Sequence, residues 1–328
     1  MKKILIFSQG EKLGDGIIKI PFIYDLKKEI PNSVIYWVAN GTTVYKNILN
    51  TFVKEKIDFI HEDLSISVHS IYKSNQLLKE LSRIEYDLII DTQKTFIKTF
   101  YLKKLKTKIF LSNCANGIFS NIKNYRKLDN YKNRYYLDNI YNLFELYLCK
   151  KIEKKSNIEY PKYILNKISK LFDPKKKYFG VAPGAGEKEK IWPIERYIEI
   201  IKKFQKIGYT PCFFLGPEDD WAKNQIQMNF DEIFEPEKHY EEIPNVHCIM
   251  ACTKFLSFAI SNDSGVSHIL STGDCNLFKI FNDKIPSKFT KNSKKIHYIE
   301  PKFKSSIKNI EVIEVYKFIN KKLAKIYL

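Results

Sequence analysis

Short apolar runs recur along this chain, each followed by a stretch of helical spacing, and the series starts twice. The first series opens at Ile4–Phe7, with a glycine-bearing turn from Gly10 to Gly16 behind it and a helical stretch from Ile17 to about Glu29. In that stretch Ile17, Ile20, Ile23 and Tyr24 recur at helical spacing, and Pro31-Asn32 ends it. Val34–Ala39, Ile57–Ile60, Leu88–Ile90 and Lys108–Leu111 read as the next strands, with helices predicted over Thr43–Lys54 and Ser74–Arg83. A run apolar on both faces marks a buried parallel strand, and repeated β-α-β units imply a doubly wound sheet with right-handed crossovers.

The middle of the chain is less regular. Asn113–Asn133 is polar and rich in Asn and Lys, and reads as a long loop. Leu137–Leu148 predicts a helix, and Lys150–Ile158 is charged and without period. A helix over Ile164–Phe172 then opens the second series. Its strands are Tyr178–Ala182, Pro211–Leu215, Phe255–Ile260 and Leu277–Phe281. Helices run from Pro193 to about Ile207, over about Asp219–Met228 and, briefly, to Ser271. The tail, Ile310–Ile326, has the spacing of an amphipathic helix.

A length of 328 residues suits two domains. The expectation is an α/β protein of two doubly wound, Rossmann-like domains, 1–158 and 159–309, facing across a cleft. The helix 310–328 is expected either on the surface or crossing back to the first domain. Ligands of open α/β sheets bind at the carboxyl ends of the strands, so the cleft is the expected site.

Lys and Arg number 55 against 37 Asp and Glu, a net charge of +18, which favours anionic partners. Only Arg83, Arg126, Arg134 and Arg196 are arginines, although Arg is the better residue for bidentate phosphate recognition. A Lys-rich chain also rich in Asn, Ile, Tyr and Phe is what an AT-rich genome writes. Coding bias and attraction to an anionic acceptor or membrane both account for the charge. The Lys residues are spread along the chain with no RRM, KH, helix-turn-helix or zinc-finger pattern, so nucleic acid is not the expected partner.

The six cysteines form no Cys-x-x-Cys, and His239, His247, Cys248 and Cys252 fit no standard zinc spacing, so no metal is expected. No apolar run approaches the roughly 18 residues of a membrane span, and Ile4–Phe7 is too short for a signal peptide. A cytoplasmic protein with at most peripheral membrane contact is expected.

Three segments at strand ends carry chemistry. The first is Leu13-Gly14-Asp15-Gly16, where a carboxylate at a helix start can take a proton from a hydroxyl during attack, or can simply cap the helix. The second is Pro183-Gly184-Ala185-Gly186, followed by Lys188, Lys190, Trp192 and Pro193. There small residues let backbone N–H groups approach an anion. The third is Asn262-Asp263-Ser264-Gly265-Val266-Ser267-His268, where a strand passes into a helix whose free N–H groups suit a diphosphate.

In their order and spacing these segments resemble glycosyltransferase family 9, the bacterial lipopolysaccharide heptosyltransferases. That family shows Leu-Gly-Asp, then Pro-Gly-Ala with Lys-x-Trp-Pro, then Asn-Asp-Ser/Thr-Gly-x-x-His. Here these stand as Leu13–Asp15, Pro183–Ala185 with Lys190–Pro193, and Asn262–His268. The resemblance spans almost the whole chain, with little to compare between about 95 and 160. It implies a GT-B fold and an inverting, metal-independent sugar transfer, most simply of heptose from ADP-heptose onto an anionic lipid-linked acceptor. Asp15 is then the general base, with Gly14 and Gly16 on the acceptor side. Lys190 is catalytic and binds donor phosphate. Gly184, Ala185, Trp192, Asp263, Ser264, Gly265 and His268 bind the donor, and Glu218 takes its ribose.

The chain departs from the pattern in two places. Ser8-Gln9-Gly10-Glu11-Lys12 is one residue longer than usual and lacks an Arg before Leu13. The late strand ends in Lys279-Ile280-Phe281-Asn282 instead of Phe-Gly. Another donor, a nucleotide-sugar epimerase and a basic nucleic-acid-binding protein are the competing readings.

Overall fold

The computed structural model describes residues 1–67, 76–122, 136–154, 157–273, 275–282, 295–302 and 306–324. The chain divides into two compact units, one of Met1–Glu159 and one of Tyr160–Pro286 with Thr290–Leu328.

The first unit runs β1 (Lys2–Ser8), α1 (Leu13–Glu29), β2 (Ser33–Ala39), α2 (Asn50–Val53), β3 (Phe59–His61), α3 (Gln76–Ser82), β4 (Tyr86–Asp91), α4 (Phe96–Leu102), β5 (Thr107–Ser112) and α5 (Tyr136–Leu148). Among the described residues its strands form one parallel sheet in the order β3-β2-β1-β4-β5. β1 is central because it is apolar on both faces, and Ile4 to Phe7 are all buried. One face carries Leu5, Phe7, Val38 and Ile89 against Leu81 of α3 and Leu102 of α4. α1 and α5 are joined by Phe22, whose ring meets Tyr141 and Phe144 edge-on at 5.4 and 5.8 Å.

The helix expected over Thr43–Lys54 is a single turn, α2. Thr43 N–H donates to Glu62 Oε1 at 2.7 Å, and the Tyr45 ring stands edge-on to Trp37 at 4.9 Å. Tyr45 also donates its hydroxyl to the Gly16 carbonyl at 2.7 Å. These commitments hold residues 43–45 out of a helix. Of the expected loop Asn113–Asn133, residues 123–133 lie outside the described residues; before them Cys114–Gly117 form a tight turn with Ala115 and Asn116 in the left-handed region.

The second unit runs α6 (Lys162–Ser169), β6 (Lys177–Ala182), α7 (Ile194–Gln205), β7 (Tyr209–Phe213), α8 (Asp220–Gln227), α9 (Asn245–Cys252), β8 (Leu256–Asn262), α10 (Gly265–Leu270), β9 (Asn276–Ile280), β10 (Ile296–Ile299) and α11 (Val312–Ala324). Its described strands form a second parallel sheet in the order β10-β9-β8-β6-β7. α7 buries Tyr197, Ile200, Ile201 and Phe204, one helical stripe, against the sheet. The stripe of α11, made of Val312, Val315, Ile319 and Leu323, is buried in this same core. Among the described residues no helix is long and apolar enough to cross a membrane.

Candidate active site

Doubly wound sheets bind ligands beyond the carboxyl ends of their strands, at the point where the strand order reverses. In the first unit that point lies between β1 and β4, and in the second between β6 and β8. Each of the three segments adjoins one of these strands: Leu13–Gly16 follows β1, Pro183–Gly186 follows β6, and Asn262–Ser267 continues β8.

In the first unit Asp15 sits half-buried in the first turn of α1, and its carboxylate takes no hydrogen bond among the described residues. The N-cap is Lys12, with no side-chain cap, so Asp15 is not spent on capping. Gly16 is fixed by packing: a Cβ there would lie 2.4 Å from Val44 Cγ2 and 3.1 Å from Leu49 Cδ1. The longer turn without Arg has its own anchor. Glu11 is buried, receives Lys19 Nζ at 2.8 Å and accepts from Trp37 Nε1 at 3.3 Å. Across the reversal point Asp91, at the end of β4, is also buried. It accepts from Thr99 Oγ1 at 2.6 Å, Ser112 Oγ at 2.7 Å and Gln93 N at 2.9 Å. Burial raises its pKa against those three bonds, and it braces the strand end.

In the second unit Asn262 ties three elements together. Its Oδ1 accepts from Trp192 N at 3.2 Å and from the Tyr197 hydroxyl at 3.0 Å, and its Nδ2 donates to Pro183 O at 2.5 Å. The end of β8, the turn after β6 and the start of α7 are thereby held in one place. Gly184 belongs to the same joint. A Cβ on it would lie 2.2 Å from Asp219 Oδ2, so only glycine leaves room for that carboxylate. Asp219 in turn accepts from Gly216 N at 2.8 Å and shapes the Gly216–Asp219 turn, while burial raises its pKa. Glu218 stands exposed on that turn.

The N-terminus of α10 carries a capping box. Ser264 Oγ accepts from Ser267 N at 3.3 Å, and Ser264 N donates to Ser267 Oγ at 3.2 Å. The Ser264 N–H, expected to face a diphosphate, is therefore already engaged. The N–H groups of Gly265 and Val266 take no acceptor among the described residues. A Cβ on Gly265 would meet nothing within 4 Å, so the approach to them is open.

Beneath this turn Asp263 Oδ1 receives Lys279 Nζ at 3.0 Å from β9, and the lysine side chain is only 3% exposed. Burial lowers the pKa of Lys279, and Asp263 holds it up in part. His268, one turn into α10, has its pKa pushed down to about 4, by burial first and by Lys279 second. At neutral pH it is a neutral imidazole with one N–H to give.

Lys190 ends a 3-10 turn and pairs with Glu187 Oε1 at 2.7 Å, both side chains substantially exposed. Ala185 is half-buried in the turn after β6. Trp192, expected among the donor-binding residues, has no exposed surface. Its ring lies in the core edge-on to Tyr197 at 5.0 Å, and its Nε1 donates to Ile310 O at 2.9 Å. Its side chain offers no surface to a ligand and instead anchors the Lys190 turn to the segment before α11.

Sequence alone placed Asn262 in the third segment without its tying role, and pointed to none of Asp219, Lys279 or Asp91 as site-building residues. Lys279 carried the clearest signal: a lysine inside the apolar run Leu277–Phe281 of a parallel strand needs a buried counter-charge, and Asp263 directly follows the neighbouring strand. Among the described residues no group of three His, Cys, Asp or Glu side chains is placed to hold a metal ion.

The sequence model of glycosyltransferase family 9 (heptosyltransferase) matches residues 74–308. That span takes in every candidate of the second unit and leaves out Leu13–Asp15. Several solved structures share the fold, among them the following three. A family 9 glycosyl transferase from Veillonella parvula has a TM-score of 0.72 at 18% identity, covering 99% of this chain and 97% of that one. The E. coli heptosyltransferase WaaC, solved with ADP, has 0.69 at 15%, covering 98% and 99%. The E. coli ADP-heptose lps heptosyltransferase II has 0.65 at 15%, with full coverage of both chains, 100% each. No curated protein matches the chain.

Proposed function

This chain belongs to glycosyltransferase family 9 (heptosyltransferase), with the GT-B fold of that family, and from that premise we propose an inverting, metal-independent transfer of heptose from ADP-heptose. The acceptor is a lipid-linked, anionic saccharide of the lipopolysaccharide-core type, met at the cytoplasmic face of the membrane. One observation carries the reading. At the reversal point of the second sheet, Asn262 locks the turn after β6 to the end of β8, where the Gly265 and Val266 N–H groups remain uncommitted. Such donors suit a diphosphate.

Asp15 takes the proton of the acceptor hydroxyl as that oxygen bonds to the anomeric carbon. The bond from that carbon to the diphosphate oxygen breaks on the opposite face, and the nucleoside diphosphate leaves with the electron pair. Gly265, Val266 and the neutral His268 donate to the developing charge, and Lys190 exchanges Glu187 for a phosphate oxygen. Glu218 binds the ribose hydroxyls, Gly184 and Ala185 line the turn, Gly14 leaves room for the acceptor beside Asp15, and Gly16 lets α1 pack against Val44 and Leu49. Trp192 acts through the turn it anchors.

The test is a thermal-shift panel of ADP, UDP, GDP and CDP at matched ionic strength, run on the native chain and on Asp15→Asn. A ligand at 100 times its Kd adds about 2.7 kcal/mol, or about 5–10 °C at this size. ADP alone is expected to shift both proteins, and Asp15→Asn to lose transfer. A shift by another diphosphate replaces the donor. No nucleotide shift removes the site, and normal turnover by Asp15→Asn removes the base.

A further inference from the structure

From Thr92 to Leu128 the chain holds no Asp or Glu but eight Lys and one Arg. At the chain's overall share of acids, 37 among 328 residues, a stretch of this length would hold about four. A coding bias toward Lys explains the choice of Lys over Arg but not the missing acids. The charge is therefore concentrated here, in the first unit.

The described part of that stretch also exposes apolar surface. α4 buries Thr99 and Leu102 and turns Phe96 and Phe100 outward, 60% and 47% exposed. These two lie four residues apart on one helical stripe, and Lys104, four further on, places its ammonium 4.6 Å from the Phe100 ring centroid. The turn after Cys114–Gly117 lies alongside: Phe119 meets Phe96 edge-on at 5.2 Å, and neighbouring Ile118 is 72% exposed. Among the described residues Lys94, Lys103 and Lys104 form no ion pair with a carboxylate. Large apolar side chains left in water beside lysines without a carboxylate partner are unusual on a monomer's surface.

We propose that this face, the outer side of α4 with the Ile118 turn, docks the protein on an anionic lipid bilayer. Phe96, Phe100 and Ile118 seat at the boundary between headgroups and acyl chains, and the lysines meet the anionic headgroups. α4 follows directly from β4, whose end flanks the same reversal point as Asp15, so docking brings that point near the membrane surface. The purpose rests on the reading of a lipid-linked acceptor; the docking surface itself does not.

The experiment is co-sedimentation of the full chain with vesicles of phosphatidylcholine, alone or mixed with phosphatidylglycerol. The native chain is expected to partition onto the mixed vesicles only, less so as salt rises. The double variants Phe96→Ser/Phe100→Ser and Lys94→Glu/Lys104→Glu are each expected to lose about tenfold or more in partitioning. Both should keep the native melting temperature and ADP shift, because the four side chains are exposed. The proposal is overturned if the native chain binds neither vesicle, or if folded variants partition like it. It is also overturned if Phe96→Ser/Phe100→Ser dissociates a dimer that hides this face from vesicles. Absence of the ADP shift in all three proteins, with the native chain alone binding the mixed vesicles, removes the donor reading and leaves the docking surface standing.

Discussion

Glu237 lies inside the second unit, 2% exposed, and neither carboxylate oxygen has a hydrogen-bond partner of good geometry. Burial raises its pKa from the ordinary 4.5 to about 7. Between those two values the native state binds more protons at this residue than the unfolded chain does. Its contribution to stability therefore falls as pH rises through that window and is lowest above about 7, a tenfold change in proton affinity being worth about 1.4 kcal/mol. Glu237→Gln is expected to raise the melting temperature at about pH 8 and to leave it nearly unchanged at about pH 4.5. Equal melting of the two proteins at the higher pH would mean that the carboxyl is not held against its charge. The lesson holds for His268 and Lys279 too. Their roles depend on each other and on Asp263, and a pair such as Asp263 and Lys279 is visible in sequence only once the two strands are known to be neighbours.

At the scale of elements, Asn262 is the joint of the second unit. Asn262→Ala leaves the Trp192 N–H, the Tyr197 hydroxyl and the Pro183 carbonyl without their partner. At about 1–3 kcal/mol for each buried group left unsatisfied, a loss of about 3 kcal/mol or more is expected in urea unfolding. Tyr197→Phe, which removes one of the three bonds, should cost about 1 kcal/mol. A loss below that for Asn262→Ala would show that the turn is held by something else. The motif Asn262–His268 marks the residue, but its partners lie 65 to 79 residues away, so nothing local announces the joint it makes. The elements themselves were more legible. β1, β2, β4, β6 and β8 are covered on both faces and read as continuous apolar runs. α4, α9 and β10 escape the periodicity for separate reasons. α4 exposes both of its phenylalanines, and α9 is buried all round, from His247 to Cys252. β10 is a short edge strand, half-exposed at His297, Tyr298 and Ile299.

For the whole molecule, the division of labour has a direct test. With ADP bound, hydrogen exchange should slow in peptides covering Pro183–Pro193, Gly216–Asp219 and Asn262–His268, all in the second unit, and hold steady across Leu13–Glu29. Protection centred on the first unit instead would exchange the roles of the two sheets. The doubling of the β-α series was readable from the sequence because each sheet is built from its own stretch of chain. The strand orders were not, since β3-β2-β1-β4-β5 and β10-β9-β8-β6-β7 share the same local periodicity. Each order puts the reversal point next to the central strand, with β3, β5, β7 and β10 at the margins. Drift at those margins, in length, loop composition or surface charge, leaves the central crevices as they were. A lineage with this layout can rewrite its periphery to suit a new acceptor or a new membrane while its chemistry descends unaltered.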